Sequence, residues 1–342
     1  MWPRHASPPS ASNRALRPPR APDQAAVARF ADDLARVSPT SERPLLIAVS
    51  GGPDSVALLL LARQVLGARC VAATVDHGLR PEAAGEAAWV ARLCSTLGVP
   101  HAVLTGRLPE RNGRTRNVSA RARALRYALL RTHAEGIGAA AIATAHHADD
   151  QVETLVMRLN RGAGLAGLAG VRARGDGIVR PLLAWRRAEL AAVVATCGIV
   201  SVDDPSNRDA RFDRARLRST IGDAAWIEAE GWSRSARALA DAEAALDWTA
   251  TRLWHERCRV EDAAVTLSPA GLPFDLQRRL VARCVAAVDP ASDPRGSAVA
   301  AAVDALVRGA TITLGDVLCR AGRDARDEPV WHFARARPRR SS

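Results

Sequence analysis

The 342-residue sequence contains no lysine, because all 48 of its Lys+Arg residues are arginine. A Walker A loop uses a lysine to reach the β- and γ-phosphates of its nucleotide, and a protein kinase uses a strand lysine for the same purpose. Pyridoxal phosphate enzymes form their Schiff base with a lysine amine. The missing lysine therefore excludes these three classes of protein.

Long apolar runs and paired cysteines are missing as well. No run of about 18 apolar residues occurs, so the sequence predicts no membrane span. The six cysteines include no CxxC pair, and their intervals resemble neither a zinc or iron–sulfur site nor a disulfide framework. Scattered cysteines of this kind are typical of buried thiols in a reducing compartment, and we expect a cytoplasmic protein.

Basic residues outnumber acidic ones. The formal net charge is +12 and the isoelectric point is about 11.0. Such a surplus favours a polyanionic partner, nucleic acid before a membrane surface. The composition of a GC-rich genome also explains arginine in place of lysine, but it does not explain the surplus over acids. Hydrophobic residues make up 48% of the chain, which is enough for a sizeable core.

Short apolar segments alternate with helical patterns in the first two thirds of the chain. The predicted strands are Leu45–Ser50, Cys70–Val75, His101–Leu104, Ala139–Ala145 and Ile178–Leu183. Continuous apolar strands separated by helices indicate a parallel sheet that is covered on both faces. We therefore expect an α/β fold with a doubly wound, five-stranded parallel sheet.

The pattern predicts four parts of the chain: a disordered basic leader at 1–22, the α/β domain at 23–222, a smaller and mainly helical C-terminal domain at 223–334, and a basic tail at 335–342. The leader is rich in Arg and Pro and lacks the apolar stretch of a secretory signal. In the C-terminal domain, Leu239, Leu246 and Leu253 share one face of a predicted helix. Thr311–Leu318 and Val330–Phe333 are candidate strands.

The strongest local signal is Ser50-Gly51-Gly52-Pro53-Asp54-Ser55, directly after the first strand and before a helix. Glycines let the backbone approach a phosphate closely, and the free N–H groups of a helix start point towards an anion. The two serines add hydroxyl groups, and Asp54 suits Mg²⁺, which prefers oxygen ligands. The alternative is a tight turn in which glycine supplies the backbone freedom and Asp54 caps the helix.

A second cluster, His146-His147-Ala148-Asp149-Asp150, follows the fourth strand. His146 and Asp150 lie one helical turn apart, and a histidine beside a carboxylate can relay a proton near neutral pH. Asp149 and Asp150 suit Mg²⁺ or a cationic amine. Two alternatives stay open: zinc bound by His146, His147 and Asp150, and an ordinary aspartate helix cap.

Arginines concentrate in two stretches, residues 107–131 and 208–218. Arginine forms forked hydrogen bonds with phosphates, so ATP and an RNA backbone are both candidate ligands. The alternative for each individual residue is a solvated face.

These segments carry a family resemblance. The loop 50–55 resembles the pyrophosphate-binding loop of the N-type ATP pyrophosphatases, or PP-loop superfamily, which cleave ATP between its α- and β-phosphates. The loop together with later segments in order resembles the tRNA(Ile)-lysidine synthase family over about residues 44–221. Those segments are Val75–Arg80, Ala145–Thr154, Arg161–Gly164, Gly167–Gly170, Arg180–Leu183 and Asp203–Asn207.

The resemblance implies a ligase that joins free L-lysine to C2 of the wobble cytidine of tRNA(Ile) with a CAU anticodon. An adenylated tRNA would be the intermediate, ATP and Mg²⁺ the cofactors, and AMP and pyrophosphate the products. It implies catalytic roles for His146, Asp150, Arg126 and Asp54, and metal binding by Asp54 and Asp149. Residues 223–334 would bind the tRNA, and the sequence is compatible with a homodimer. The alternatives are a PP-loop tRNA thiolase and a non-catalytic adenine-nucleotide or RNA-binding module.

Overall fold

The computed structural model describes residues 18–38, 41–78, 82–106, 118–202, 216–217, 220 and 227–336. The chain divides into two compact units, Met1–Ala240 and Asp241–Ser342. Several predictions fall outside the described residues: most of the leader, Arg80, the 107–117 part of the first arginine stretch, the 203–207 segment, most of the 208–218 arginines, the boundary at 222 and the tail from 337.

The first unit is an α/β sandwich. Its helices are α1 Gln24–Val37, α2 Pro53–Leu66, α3 Glu82–Leu97, α4 Val118–Gly136, α5 Ala148–Leu159, α6 Leu165–Leu168 and α7 Arg187–Thr196. Its strands are β1 Leu45–Ala48, β2 Cys70–Asp76, β3 His101–Thr105, β4 Ala141–Ala143, β5 Arg174–Gly175 and β6 Ile178–Val179.

The described sheet has six strands in the order β3-β2-β1-β4-β6-β5. The five strands from β3 to β6 are parallel, as the sequence predicts, and β5 pairs with β6 in the antiparallel sense. The predicted strand Ile178–Leu183 ends at Val179, and a tight turn with positive φ at Asp176 and Gly177 adds β5. A two-residue strand is too short to show a hydrophobic period, so the sequence did not reveal it.

The sheet is covered on both faces because successive strand residues point in opposite directions. Leu45 and Ile47 of β1 pack with the buried side of α2, whereas Leu46 packs with α4. Helix α2 is apolar almost all round, and Val56–Ala62 are buried without interruption. A helix of this composition belongs in the interior, so the loop that precedes it is anchored at the centre of the unit.

The strand order places a topological switch point between β1 and β4. From β1 the chain builds outwards through β2 and β3, and then returns to the other side of β1 with β4. Ligands of open α/β sheets bind at the carboxyl ends of the strands beside such a switch. The loop 50–55 follows β1 and the His146–Asp150 segment follows β4, so both candidate segments meet at this crevice.

The second unit combines helices with a sheet, where the sequence predicts mainly helices. Helix α8 Ala229–Arg257 crosses the division at residue 240. The further elements are α9 Phe274–Val288, α10 Gly296–Val307, and strands β7 Cys258–Glu261, β8 Ala264–Leu267, β9 Thr311–Leu314, β10 Val317–Arg323 and β11 Pro329–Arg335. The strands form an antiparallel sheet in the order β7-β8-β11-β10-β9. The predicted strand Thr311–Leu318 is in fact two strands, which turn at Gly315 with φ 58°.

The second unit contains a buried ion pair. The apolar stripe of α8 also holds Glu243, which is 3% exposed. Arg279 of α9 forms a two-oxygen ion pair with it at 2.6 and 2.9 Å. The six cysteines are buried and unpaired, as the sequence predicts. Among the described helices, none has the length and apolar character needed to cross a membrane.

Candidate active site

The loop after β1 is braced by its own serine. Ser55 Oγ accepts a hydrogen bond from the Ser50 backbone N–H at 3.1 Å and donates to the Gly52 carbonyl at 2.9 Å. Gly51 has φ +94°, which favours glycine, and Pro53 occupies the first turn of α2. The Ser55 hydroxyl, predicted as a donor to phosphate, thus holds the loop in shape, and the backbone remains the principal source of donors.

A cavity of about 360 Å³ opens beside this loop. Most of the predicted site residues line it: Ser50, Gly52, Pro53, Asp54, Ser55, Arg126, His146 and Asp150. Two predicted residues, Gly51 and Asp149, are absent from its described wall. The carbonyl of Gly51 instead accepts a hydrogen bond from the Val202 N–H at 3.1 Å. The cavity is large enough for a nucleotide, and pockets of this size commonly bind small ligands.

His147 lies at the centre of a cluster of three carboxylates. Its side chain is 2% exposed, and its Nε2 atom lies 3.5 Å from Asp54 Oδ2 and 3.6 Å from Asp150 Oδ2. Its Nδ1 atom lies 3.5 Å from Asp149 Oδ2. These are ion-pair distances, slightly long for hydrogen bonds. The imidazole thereby connects the loop after β1 with the start of α5.

The cluster keeps His147 positively charged. Burial by itself lowers the pKa of His147, but the interactions with Asp149, Asp54 and Asp150 outweigh burial and raise the pKa to about 10. In the described parts of the chain, no group of three or more His, Cys, Asp or Glu side chains is placed to hold a metal ion, so the structure gives the zinc alternative no support.

Asp149 faces away from the cavity and towards α7. Its Oδ1 accepts from the Arg186 guanidinium at 3.1 Å, and its Oδ2 accepts from the Arg187 backbone N–H at 2.7 Å. Burial raises the pKa of Asp149, but the His147, Arg187 and Arg186 contacts together hold it well below the ordinary value. Both oxygens are thus engaged, so this geometry does not support the metal-binding role predicted for Asp149.

Asp54 offers an oxygen ligand of the kind that Mg²⁺ prefers. Its Oδ1 atom is shielded from solvent and has no hydrogen-bond partner among the described residues. Asp54 and Asp150 both line the cavity and approach the same His147 nitrogen. Mg²⁺ typically takes one or two carboxylates and completes its coordination with phosphates and water. These two carboxylates fit that donor set.

His146 and Asp150 lie on the cavity wall, as predicted, but with different supports. The Thr144 hydroxyl lies 2.9 Å from His146 Nδ1 and orients the ring. Asp150 Oδ2 accepts from the His147 backbone N–H at 3.1 Å, so Asp150 also caps α5. The helix-cap alternative is therefore realised alongside the cavity position.

Part of the cavity wall is basic. Arg123 and Arg126 of α4 line the cavity together with Tyr127, and Arg123 lies 5.0 Å from the centre of the Tyr127 ring. Enclosure by the surrounding protein lowers the pKa of Arg126. Tyr127 is half-buried and packs against the core under α4. This wall suits a ligand that carries negative charge.

Two residues of the site were missed from the sequence. His147 was named only as a zinc candidate, and Arg187 was not singled out at all. Arg187 lines the cavity although it lies on α7, far along the chain from the loop. The sequence feature that could have pointed to Arg187 is the absence of lysine, because an arginine must then supply the positive charge that binds the phosphates.

The fold and the site together define the class of protein. A glycine-rich loop after the first strand, at the switch point of a parallel sheet, is the architecture of a PP-loop ATP-binding protein. The model of the PP-loop domain family matches residues 23–225.

Comparisons with curated proteins narrow the class. The chain is 44% identical to the tRNA(Ile)-lysidine synthase of Novosphingobium aromaticivorans, over 92% of this chain and 95% of that protein. It is 40% identical to the tRNA(Ile)-lysidine synthase of Zymomonas mobilis, over 89% of this chain and 92% of that protein. The chain therefore belongs to the tRNA(Ile)-lysidine synthase family, as its motifs predicted.

Among solved structures, the U34-tRNA thiolase NcsA from Methanococcus maripaludis is similar to this chain. The TM-score is 0.52 with 14% sequence identity, and the match covers 64% of this chain and 80% of the thiolase. At this identity the similarity extends to the fold.

Proposed function

We propose that the protein ligates lysine to C2 of the wobble cytidine in tRNA(Ile) with a CAU anticodon, with ATP as the activating substrate. The observation that carries the proposal is the meeting of two segments in one cavity. The loop that follows β1 is suited to phosphates, and His146 and Asp150, which follow β4, are suited to proton transfer.

The first step is adenylation of the base. The C2 oxygen of cytidine forms a bond to the α-phosphorus of ATP, the bond from that phosphorus to the β-phosphate oxygen breaks, and pyrophosphate leaves with the electron pair. Backbone N–H groups at the start of α2 stabilise the departing charge. Arg126, which also lines the cavity, orients the phosphate or the lysine. The base must leave its stack to enter the cavity.

The second step is attack by lysine. The neutral ε-amine of free lysine forms a bond to C2, the bond from C2 to the adenylate oxygen breaks, and AMP leaves. Lysine arrives as an ammonium ion, so a proton must first be removed. His146, oriented by Thr144, and Asp150 are placed on the cavity wall for this role.

Mg²⁺ belongs to the same proposal. Asp54 and Asp150 would hold the ion, because Asp54 Oδ1 lacks a partner among the described residues and both carboxylates line the cavity. When bound, Mg²⁺ neutralises charge on the phosphates of ATP.

The cysteines support ligation over thiolation. Cys70 and Cys94 pack in the apolar core, and no cysteine is present in the described cavity wall. Burial raises the pKa of both thiols to about 12, so they stay protonated near neutral pH. A thiolase requires reactive thiolates at its active site, and these two thiols do not provide them.

The reaction is tested by incubating the protein with ATP, labelled lysine and unmodified tRNA(Ile) carrying CAU, beside a matched transcript carrying UAU. We expect label in the CAU transcript alone. Label in neither transcript would refute lysine ligation, and equal label in both would refute recognition of the anticodon.

We further propose that the tRNA body binds the open face of the C-terminal sheet. The strand register aligns Arg259, Thr266, His332, Arg320 and Thr311 in one row across all five strands. Neighbouring side chains point the other way into the core, and both arginines of the row are exposed. The row contains no acidic residue, so its charge complements a phosphate backbone.

Replacing both Arg259 and Arg320 by alanine is expected to weaken tRNA binding roughly tenfold. The affinity should also fall less steeply as salt is added, by the change in slope that corresponds to the loss of about two phosphate contacts. The affinity is measured by filter binding at several salt concentrations. Replacing both Arg295 and Arg308 by alanine is the matched control, because both are exposed arginines of the same unit outside this row. An equal loss in the control would assign the effect to net charge and refute the surface.

A further inference from the structure

Two hydrogen bonds hold the backbone around Arg187 at the cavity wall. The Ala148 N–H donates to the Trp185 carbonyl at 2.8 Å, and the Arg187 N–H donates to Asp149 Oδ2 at 2.7 Å. These two hydrogen bonds dock the Trp185–Arg187 segment onto the start of α5. The backbone of Arg187 is thereby fixed while its side chain lines the cavity.

Helix α1 supports this segment from behind. Trp185 is 2% exposed, and its indole N–H donates to Asp33 at 3.0 Å. Arg29 lies 4.2 Å from the centre of the same ring and pairs with Glu189 at 2.6 Å. Glu189 in turn accepts from the Arg186 backbone N–H at 2.6 Å. The segment is thus rigid on the side away from the cavity, which suits a group that must be positioned before its ligand arrives.

The two consecutive arginines have different tasks. The Arg186 guanidinium is directed at Asp149, with contacts of 3.1 and 3.3 Å. Arg187 makes no described contact with Asp149 through its guanidinium and instead lines the cavity, which is also lined by the loop residues Ser50–Ser55 apart from Gly51. A chain without lysine needs another cation for the phosphates of ATP, and arginine provides a fork that matches phosphate oxygens.

We propose that Arg187 binds the β- and γ-phosphates of ATP, and then the departing pyrophosphate, as the cation that a lysine supplies in other phosphate loops. Asp149 is its positioning residue and acts through the Arg187 backbone. The proposal rests on the proposed function for its role in adenylation. When the bond between the α-phosphorus and the β-phosphate oxygen breaks, the electron pair goes to pyrophosphate, and Arg187 stabilises that charge.

Binding of pyrophosphate tests Arg187 without tRNA or lysine, so the outcome is independent of the overall reaction. The affinities of the full-length protein for Mg²⁺-pyrophosphate and for AMP are measured by calorimetry. Arg187→Gln is expected to weaken pyrophosphate binding about 10- to 100-fold and to leave AMP binding unchanged, because AMP lacks the β- and γ-phosphates. Arg187→Lys should regain part of the affinity.

Arg92→Gln is the matched control, since Arg92 is an exposed arginine of α3 outside the cavity wall. It is expected to bind pyrophosphate as the wild type does. Unchanged pyrophosphate affinity in Arg187→Gln would overturn the proposal. So would an equal loss of AMP affinity, an equal loss in the control, or no recovery with lysine.

A double-mutant cycle tests Asp149. Asp149→Ala should also weaken pyrophosphate binding, and the double variant with Arg187→Gln should be no weaker than Arg187→Gln alone, because both changes remove one interaction. The loss should persist in EDTA with metal-free pyrophosphate. Additive losses would show that Asp149 acts independently of Arg187, and a loss seen only with Mg²⁺ would make Asp149 a metal ligand; either result would overturn its positioning role.

Discussion

Asp54→Asn is expected to slow the release of pyrophosphate by roughly 10²- to 10³-fold while the protein remains folded. Asparagine keeps the shape of the side chain but removes the negative charge that Mg²⁺ requires. Asp54 Oδ1 is shielded and without a partner among the described residues, so no other described contact uses this oxygen. The measurement is pyrophosphate release with ATP and tRNA over a range of Mg²⁺ concentrations, together with Mg²⁺-dependent affinity for a non-hydrolysable ATP analogue.

Asp149→Asn is the control that distinguishes the loss of metal binding from the loss of a negative charge beside His147. It removes one of the three carboxylate charges around His147, as Asp54→Asn does, and it keeps an acceptor for the Arg187 N–H. We therefore expect a much smaller loss of rate and an unchanged Mg²⁺ requirement. If both variants raise the Mg²⁺ requirement equally, the metal pair predicted from the sequence, Asp54 with Asp149, is right and the pair Asp54 with Asp150 is wrong.

The first unit was predictable because its signals are local. Apolar runs such as Leu45–Ser50 contain the buried central strands, and the glycine-rich loop follows directly in the sequence. The switch point then places the two site segments together without knowledge of any contact. Strand β5 escaped prediction because two residues show no period. The sheet of the second unit was predicted only in part: the candidate strands fall on β9, β10 and β11, whereas β7 and β8 escaped, and β8 pairs with β11 over a long distance in sequence.

The sequence predicts which residues form the site better than it predicts what each of them does. Two adjacent aspartates look equivalent in the sequence, yet Asp149 faces α7 and Asp150 faces the cavity. The difference is made by Arg186 and Arg187, which lie 37 and 38 residues further along the chain. Partners at such a separation leave no periodic trace, so a single sequence cannot assign the two carboxylates.

His146 and His147 are adjacent and also look equivalent in the sequence, but they lie in different surroundings. His147→Ala is expected to lower the melting temperature by on the order of 10 °C, because removing the cation from a buried ion cluster costs about 3–5 kcal/mol. It leaves Asp54, Asp149 and Asp150 without the charge that separates them. His146→Ala is expected to melt within about 2 °C of the wild type, because it leaves that cluster intact.

Activity should separate the two histidines by the reaction step that each variant impairs. His146→Ala should still release pyrophosphate and accumulate adenylated tRNA, while incorporation of labelled lysine falls about 10²- to 10⁴-fold. His147→Gln, which preserves more of the packing, is measured at low temperature in case the alanine variant does not fold. It should impair both steps, since His147 connects the loop after β1 with α5.

Each histidine variant can contradict the assignment. Wild-type melting of His147→Ala would show that the buried cluster does not depend on the imidazolium. Loss of pyrophosphate release in His146→Ala would place that ring in adenylation, before lysine enters. The paired design is informative because the two residues are neighbours in the chain and differ chiefly in direction. One side chain points into the carboxylate cluster and the other into the cavity, so a general disturbance of this segment would affect both variants alike.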